Sequence, residues 1–269
     1  MCLQFFMKIL KNQLPRLSAA LDRTTKSMLG KPGERSRERE FCGPNEAVRI
    51  DLCAIFVAIP KTGTSSIRHQ FSHPGPFFLP GSHLTIRQIE KLWHVWSVRE
   101  TLHRNREFPT NQKVVMSDFE VFQESTESFS KAVKFATVRN PFARALSLYM
   151  RNEGIQVARN MTFDDFCEQL AFASDTCVWP SRNQCQIDWL IGWDNSTWVV
   201  DNILRLENLA KDLEGLARNF PQLSFLTDIK KNVNPNSGSL DYRAAYSSSA
   251  RKAVEFIFRR DLEALSYDF

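Results

Sequence analysis

The chain has 269 residues, 43% of them hydrophobic and 24% charged, and carries a net charge of +5. This is the ordinary soluble range, and the length suits one large α/β domain that buries its core without disulfides or metals. The mild positive balance favours anionic ligands but is too weak for nucleic acid, and no basic and aromatic module of a nucleic-acid binder is present.

Residues 1–44 differ from the rest. The apolar start at 1–10 is interrupted by Gln4 and Lys8. It falls short of the about 20 apolar residues that a membrane span needs. Its positive charges follow the apolar part rather than precede it, which makes a poor signal peptide. Residues 3–21 suit a short amphipathic helix broken at Pro15, capable of weak contact with a membrane surface. Residues 31–40 read Lys-Pro-Gly-Glu-Arg-Ser-Arg-Glu-Arg-Glu, a solvated linker. The folded domain is expected over residues 45–269.

Residues 52–59 form an apolar, β-branched run that reads as a buried strand. Residues 60–66 follow as Pro-Lys-Thr-Gly-Thr-Ser-Ser and lead into a helix. A strand, a turn of small residues and a helix N-terminus make an anion site, because free N–H groups and the helix dipole point at the bound charge. Gly63 lets the backbone approach closely, Lys61 adds a full charge, and Thr62, Thr64, Ser65 and Ser66 offer hydroxyls. A Walker A loop needs Gly, four spacers, then Gly-Lys-Ser/Thr. Here the lysine precedes the glycine, and no glycine lies between Gly43 and Lys61. A phosphate-like ligand is expected, without Walker chemistry.

A strong helix is predicted from Thr85, with Thr85 and Gln88 as a capping box and Ile86, Ile89, Leu92, Trp93 and Trp96 as its apolar face. Residues 113–116 read as a strand ending at Ser117 and Asp118. Residues 133–138 form another strand, closed by Arg139-Asn140-Pro141 and a helix. Asn140 suits the N-cap and Pro141 the first helical position. Arg139 therefore marks the strand-to-helix step, and Ser147 lies two turns along, roughly 10 Å further on. A forward-reaching guanidinium and a hydroxyl can hold one phosphate between them, and the planar fork of arginine suits phosphate oxygens. Taken singly, Arg139 also reads as a surface ion-pair residue and Ser147 as a serine bonded to its own helix backbone.

Further along come a helix from Thr162 with Phe163, Phe166 and Leu170 inward, a strand over 198–206 and a helix over 208–220 stopped by Pro221. A polar loop over 232–243 precedes a last helix over 250–265 that points Val254, Ile257, Phe258, Leu262 and Leu265 inward. Alternating strands and helices predict an α/β fold with a mostly parallel central sheet and helices on both faces. Ligands then bind beyond the C-terminal strand edge, where Lys61, Ser117, Asp118 and Arg139 gather. Of six cysteines, Cys53 is expected as a buried thiol in the first strand. Cys167, Cys177 and Cys185 are near enough in sequence for one disulfide if the chain is secreted. No zinc spacing occurs. Asn160 and Asn195 head glycosylation sequons.

The order of residues 60–66 resembles the 5′-phosphosulfate loop of sulfotransferases that use 3′-phosphoadenosine 5′-phosphosulfate (PAPS). The segment from Arg139 to Ser147 resembles their 3′-phosphate motif, an arginine with a serine eight positions on. Residues 205–213 and the tail from 241 to 269 resemble carbohydrate sulfotransferases related to heparan sulfate 2-O-sulfotransferase. The resemblance spans residues 50–269. It implies a P-loop-like three-layer fold, PAPS as co-substrate and no metal. It places Lys61, Thr62, Gly63, Thr64, Ser65 and Ser66 on the 5′-phosphosulfate and Arg139 and Ser147 on the 3′-phosphate.

Sulfuryl transfer to a hydroxyl also needs a base, since the acceptor proton must leave. Among the five histidines, His83 in the segment Pro-Gly-Ser-His-Leu-Thr at 80–85 resembles the family's histidine base. Its plainer reading is a loop or cap histidine. His94 and His103 fall on a helix amid core and solvent positions, and His69 and His73 lie on far turns. Asp118 and Glu120 are the second choice. By resemblance the 232–243 loop folds over the nucleotide and brings Asn236, Ser237 or Arg243 to it; by composition alone it is a surface loop. The expected function is sulfuryl transfer to a hydroxyl, on a carbohydrate by resemblance. The alternatives are a non-catalytic nucleotide binder or, less well supported, a nucleotide kinase. The cytoplasm is the expected compartment, with the Golgi lumen as the alternative.

Overall fold

The computed structural model describes residues 48–49, 51–71, 83–107, 118–150, 161–172, 184–228 and 241–269. In chain order these contain β1 (Val48–Arg49), β2 (Ala54–Val57), α1 (Thr64–Phe71), α2 (Ile86–Glu107), α3 (Asp118–Lys131), β3 (Val133–Val138), α4 (Pro141–Tyr149), α5 (Phe163–Phe172), β4 (Asn202–Arg205), α6 (Leu209–Asn219), α7 (Ser248–Ile257) and α8 (Arg259–Ala264). The strands form one sheet in the order β1-β2-β3-β4. β2, β3 and β4 run parallel, and β1 pairs antiparallel with β2.

Alternation along β2 divides the core. Ile55, Val57 and Ile59 face a cluster with Ile86, Ile89, Leu92 and Trp93 of α2 and Phe129 of α3. Ala54, Phe56 and Ala58 face the opposite cluster, with Ile67 and Phe71 of α1 and Leu213 and Leu216 of α6. The strand is thus buried on both sides, as parallel strands between helical layers are. Phe56, Phe71 and Phe135 pack ring against ring at 5.1–6.2 Å, each burial stabilising by about 1.5–3 kcal/mol. A third cluster joins α4, α5 and α7 through Phe142, Phe166, Leu170, Val254 and Phe258.

The caps form as the sequence requires. Thr85 and Gln88 exchange their capping-box hydrogen bonds, and the Asn140 side chain accepts from the Phe142 N–H.

Several expectations are corrected. α3 was not foreseen, because its buried stripe of Val121, Ser125 and Phe129 contains a polar residue while Phe119 and Phe122 stay exposed. Ser125 is satisfied by His94 Nδ1 at 2.5 Å, which puts His94 in the α2–α3 packing, stacked on Phe122. The strand expected at 113–116 lies outside the described residues. The last helix is broken at Phe258 into α7 and α8, and the break carries Asp261 to a buried position. Cys53 is an exposed thiol with φ +47°, in the turn before β2 rather than inside it. Cys167 and Cys185 are free and buried, and burial pushes both thiols up to about 12; Cys177 lies outside the described residues. Among the described residues no helix is long and apolar enough to cross a membrane.

Candidate functional site

Register brings three loops to one edge. Val57 pairs with Ala136, and Val138 with Arg205. The chain therefore leaves β2, β3 and β4 at the same end of the sheet, as Pro60-Lys61, Arg139-Asn140 and Leu206-Glu207.

The loop after β2 is tightly curled. Lys61 has φ +68° and Gly63 φ +78°. The left-handed region costs a non-glycine residue roughly 1–2 kcal/mol, so Lys61 must be held there. Two arginines hold it. Arg144 Nε donates to the Pro60 carbonyl at 3.1 Å, and Arg139 Nη1 donates to the Lys61 carbonyl at 3.4 Å. A Cβ on Gly63 would run into Leu206 Cδ1, so glycine serves both the dihedral and the approach to the loop after β4. Thr62 is fully buried. Its hydroxyl lies 2.9 Å from the Ile59 carbonyl and 2.8 Å from Thr137 Oγ1. That hydroxyl ties the loop to β2 and β3. Thr64 is buried at the start of α1, Ser66 is half-buried and Ser65 is exposed.

The β3–α4 step is equally constrained. Asn140 N–H donates to Glu207 Oε1 at 2.7 Å, and Asn140 Nδ2 donates to the Asp268 carbonyl at 2.7 Å. Tyr267 Oη donates to Glu207 Oε2 at 3.0 Å. The tail is thereby pinned across the loops after β3 and β4. Burial pulls the Arg139 pKa below its ordinary value, with the Glu207 carboxylate working the other way. An anionic ligand would act in the same sense as Glu207. Ser147 is half-buried on α4, two turns beyond Arg139.

His83 reaches the same edge. Its Nδ1 is 2.8 Å from the Ala58 carbonyl, and its own carbonyl accepts from Trp189 Nε1 at 3.3 Å. A carbonyl only accepts, so Nδ1 carries the proton and Nε2 is the basic nitrogen of the neutral ring.

Of the second-choice groups, Asp118 begins α3 and Glu120 is exposed on it. Ser117, Asn236 and Ser237 lie outside the described residues. Arg243 is exposed, 3.8 Å from Asp241 and stacked against Tyr242. Among the described residues no group of three or more His, Cys, Asp or Glu side chains is placed to hold a metal ion.

Residues that the sequence reading passed over also converge here. Arg144 is fully buried between the rings of Trp189 and Phe258, and the Gln186 carboxamide clasps the Arg139 backbone. The one local signal was a charged side chain inside the apolar start of α4.

A family model described as "Sulfotransferase family" matches residues 53–268. Neither a curated protein nor a solved structure matches the chain.

Proposed function

The chain belongs to the sulfotransferase family, and from that premise we propose that it transfers a sulfuryl group from PAPS to an acceptor hydroxyl, with a carbohydrate as the acceptor class. The observation that carries this reading is the Arg139–Lys61 hydrogen bond. It joins the loop read as the 5′-phosphosulfate site to the one read as the 3′-phosphate site. One guanidinium, one ammonium, a helix N-terminus and several hydroxyls form a donor set suited to a nucleotide phosphorylated at both positions.

PAPS would supply the sulfuryl group when bound. Lys61 and the backbone amides of Thr64, Ser65 and Ser66 would hold the 5′ side and stabilise negative charge there. Arg139 and Ser147 grip the 3′-phosphate, which orients the nucleotide. His83 accepts the acceptor hydroxyl proton at Nε2, while its Nδ1–H stays on the Ala58 carbonyl.

The P-loop-like three-layer fold and the relation to heparan sulfate 2-O-sulfotransferase belong to the same proposal, as does a domain over residues 45–269. The tail resemblance supports the carbohydrate acceptor. The cytoplasm is the proposed compartment, with the Golgi lumen as the alternative.

The test is incubation with radiosulfur-labelled PAPS and separate panels of glycans, lipids and phenols. Label is expected in a glycan product. Label only in a phenol or lipid would move the acceptor class, and no transfer to any panel would favour a non-catalytic nucleotide binder.

A further inference from the structure

Segment 184–187 touches both loops. From one side, the Gln186 side chain pairs with the Arg139 backbone in both directions. Gln186 Oε1 accepts from the Arg139 N–H at 2.9 Å, and Gln186 Nε2 donates to the Arg139 carbonyl at 2.8 Å. From the other, the Gln184 carbonyl accepts from Arg144 Nη1 at 3.1 Å, while Arg144 Nε holds the Pro60 carbonyl at 3.1 Å. The segment is itself fixed by Asp261, which is fully buried. Asp261 Oδ2 accepts from the Gln186 N–H at 2.8 Å, and Oδ1 from the Ile187 N–H at 3.0 Å.

We propose that Gln186 and Arg144 are positioning residues that join the two phosphate loops through segment 184–187, with Asp261 as the anchor. This rests on reading those loops as a PAPS site. Gln186 sets where the Arg139 backbone sits, and through it where the guanidinium starts. Arg144 sets the height of Pro60, and through it the left-handed turn at Lys61. The reciprocal pair leaves Arg139 little room to shift, because both of its backbone groups are satisfied by one rigid carboxamide. Neither residue is placed to touch the nucleotide; each acts through the loop it holds.

The division of labour gives distinct signatures. Gln186→Leu should weaken 3′-phosphoadenosine 5′-phosphate binding about tenfold and leave AMP affinity within about twofold, since only the 3′-phosphate grip is displaced. Arg144→Lys keeps a cation but loses the fork. It should weaken both nucleotides by a similar factor, because the 5′ loop serves both.

The experiment is calorimetric titration of the full chain and each variant with the two nucleotides, beside thermal melts. If Gln186→Leu does not fold, Gln186→Asn replaces it. That variant keeps a neutral carboxamide but is one methylene short of the Arg139 backbone, so a fall in the ratio in the same direction is expected. A wild-type chain that does not prefer the 3′-phosphorylated nucleotide overturns the PAPS reading itself. A wild-type preference that survives in the Gln186 variant, or that is matched by an equal loss of AMP binding, overturns the positioning role alone.

Discussion

Arg139 Nη1 donates to the backbone carbonyl of Lys61 at 3.4 Å, across 78 positions of sequence. The bond uses one of the five guanidinium N–H donors and leaves the rest of the fork for a ligand. It also means that the residue proposed to grip one phosphate helps shape the loop proposed to hold the other. The contact is long, and Arg144 holds the Pro60 carbonyl of the same loop separately, so loss of the Arg139 contact alone is expected to leave the loop after β2 largely in place.

His83→Ala is expected to lower turnover by roughly 10²–10⁴ fold, the usual worth of a positioned base. Nucleotide affinity should stay within about twofold, because the imidazole is proposed to act on the acceptor proton and its Nδ1 is committed to the Ala58 carbonyl. Steady-state rates with parallel nucleotide titrations check this. Full turnover in the variant would remove His83 from the mechanism and move attention to Asp118 and Glu120.

Lys61→Ala should behave differently. The ammonium is read as meeting charge in both ground and transition states, so nucleotide binding and turnover should fall together. EDTA should leave wild-type activity unchanged, because Lys61 and the loop amides are proposed to supply the positive charge. Activity lost to EDTA and restored by magnesium would favour kinase-like chemistry.

Gly63→Ala is expected to destabilise the chain by about 1–2 kcal/mol and to weaken nucleotide binding. The added methyl meets the end of the Leu206 side chain, and φ is +78°. Leu206→Ala, itself destabilising through lost packing, removes the steric clash. Chemical denaturation of both single variants and the double variant should show Gly63→Ala costing less in the Leu206→Ala background, and no cost there would mean that the dihedral carries none.

The loops that frame the candidate site were legible in sequence, and the remainder shows where local patterns stop. The Asn140-Pro141 pair fixed a helix start, and with it the place of Arg139, because capping is a local matter. The small residues at 60–66 marked the strand-to-helix turn for the same reason. Gln186 and Asp261 could not be found that way. Their partners lie 47 and 75 positions away, and no spacing rule reaches so far. The thiol of Cys53 was misplaced because the apolar run begins before the strand does, with the turn taking its first residues. The Thr62 hydroxyl was counted as a ligand donor, but burial gives it to Ile59 and Thr137.

His94 gives the chain an acid-side liability. Burial between α2 and α3 lowers its pKa below the ordinary 6.5, with Glu90 opposing. Between the folded and unfolded values the unfolded chain binds the extra proton. Its contribution is therefore full above about pH 6.5 and is lost as pH falls through the folded value. Urea midpoints measured on either side of that pH should drop on the acid side, and His94→Gln should flatten the drop. An equal slope in the variant would assign it to other groups.

The central claim is that the two loops hold one nucleotide carrying both a 5′- and a 3′-phosphate. Calorimetric titration of the wild-type chain and of Arg139→Ala with 3′-phosphoadenosine 5′-phosphate and with AMP tests it most directly. Charge-assisted contacts to a phosphate contribute roughly 1.5–3 kcal/mol each, so the wild type should prefer the 3′-phosphorylated nucleotide by more than about tenfold. Arg139→Ala should erase most of that preference while AMP affinity changes little. Equal affinity of the wild-type chain for the two nucleotides would contradict the account.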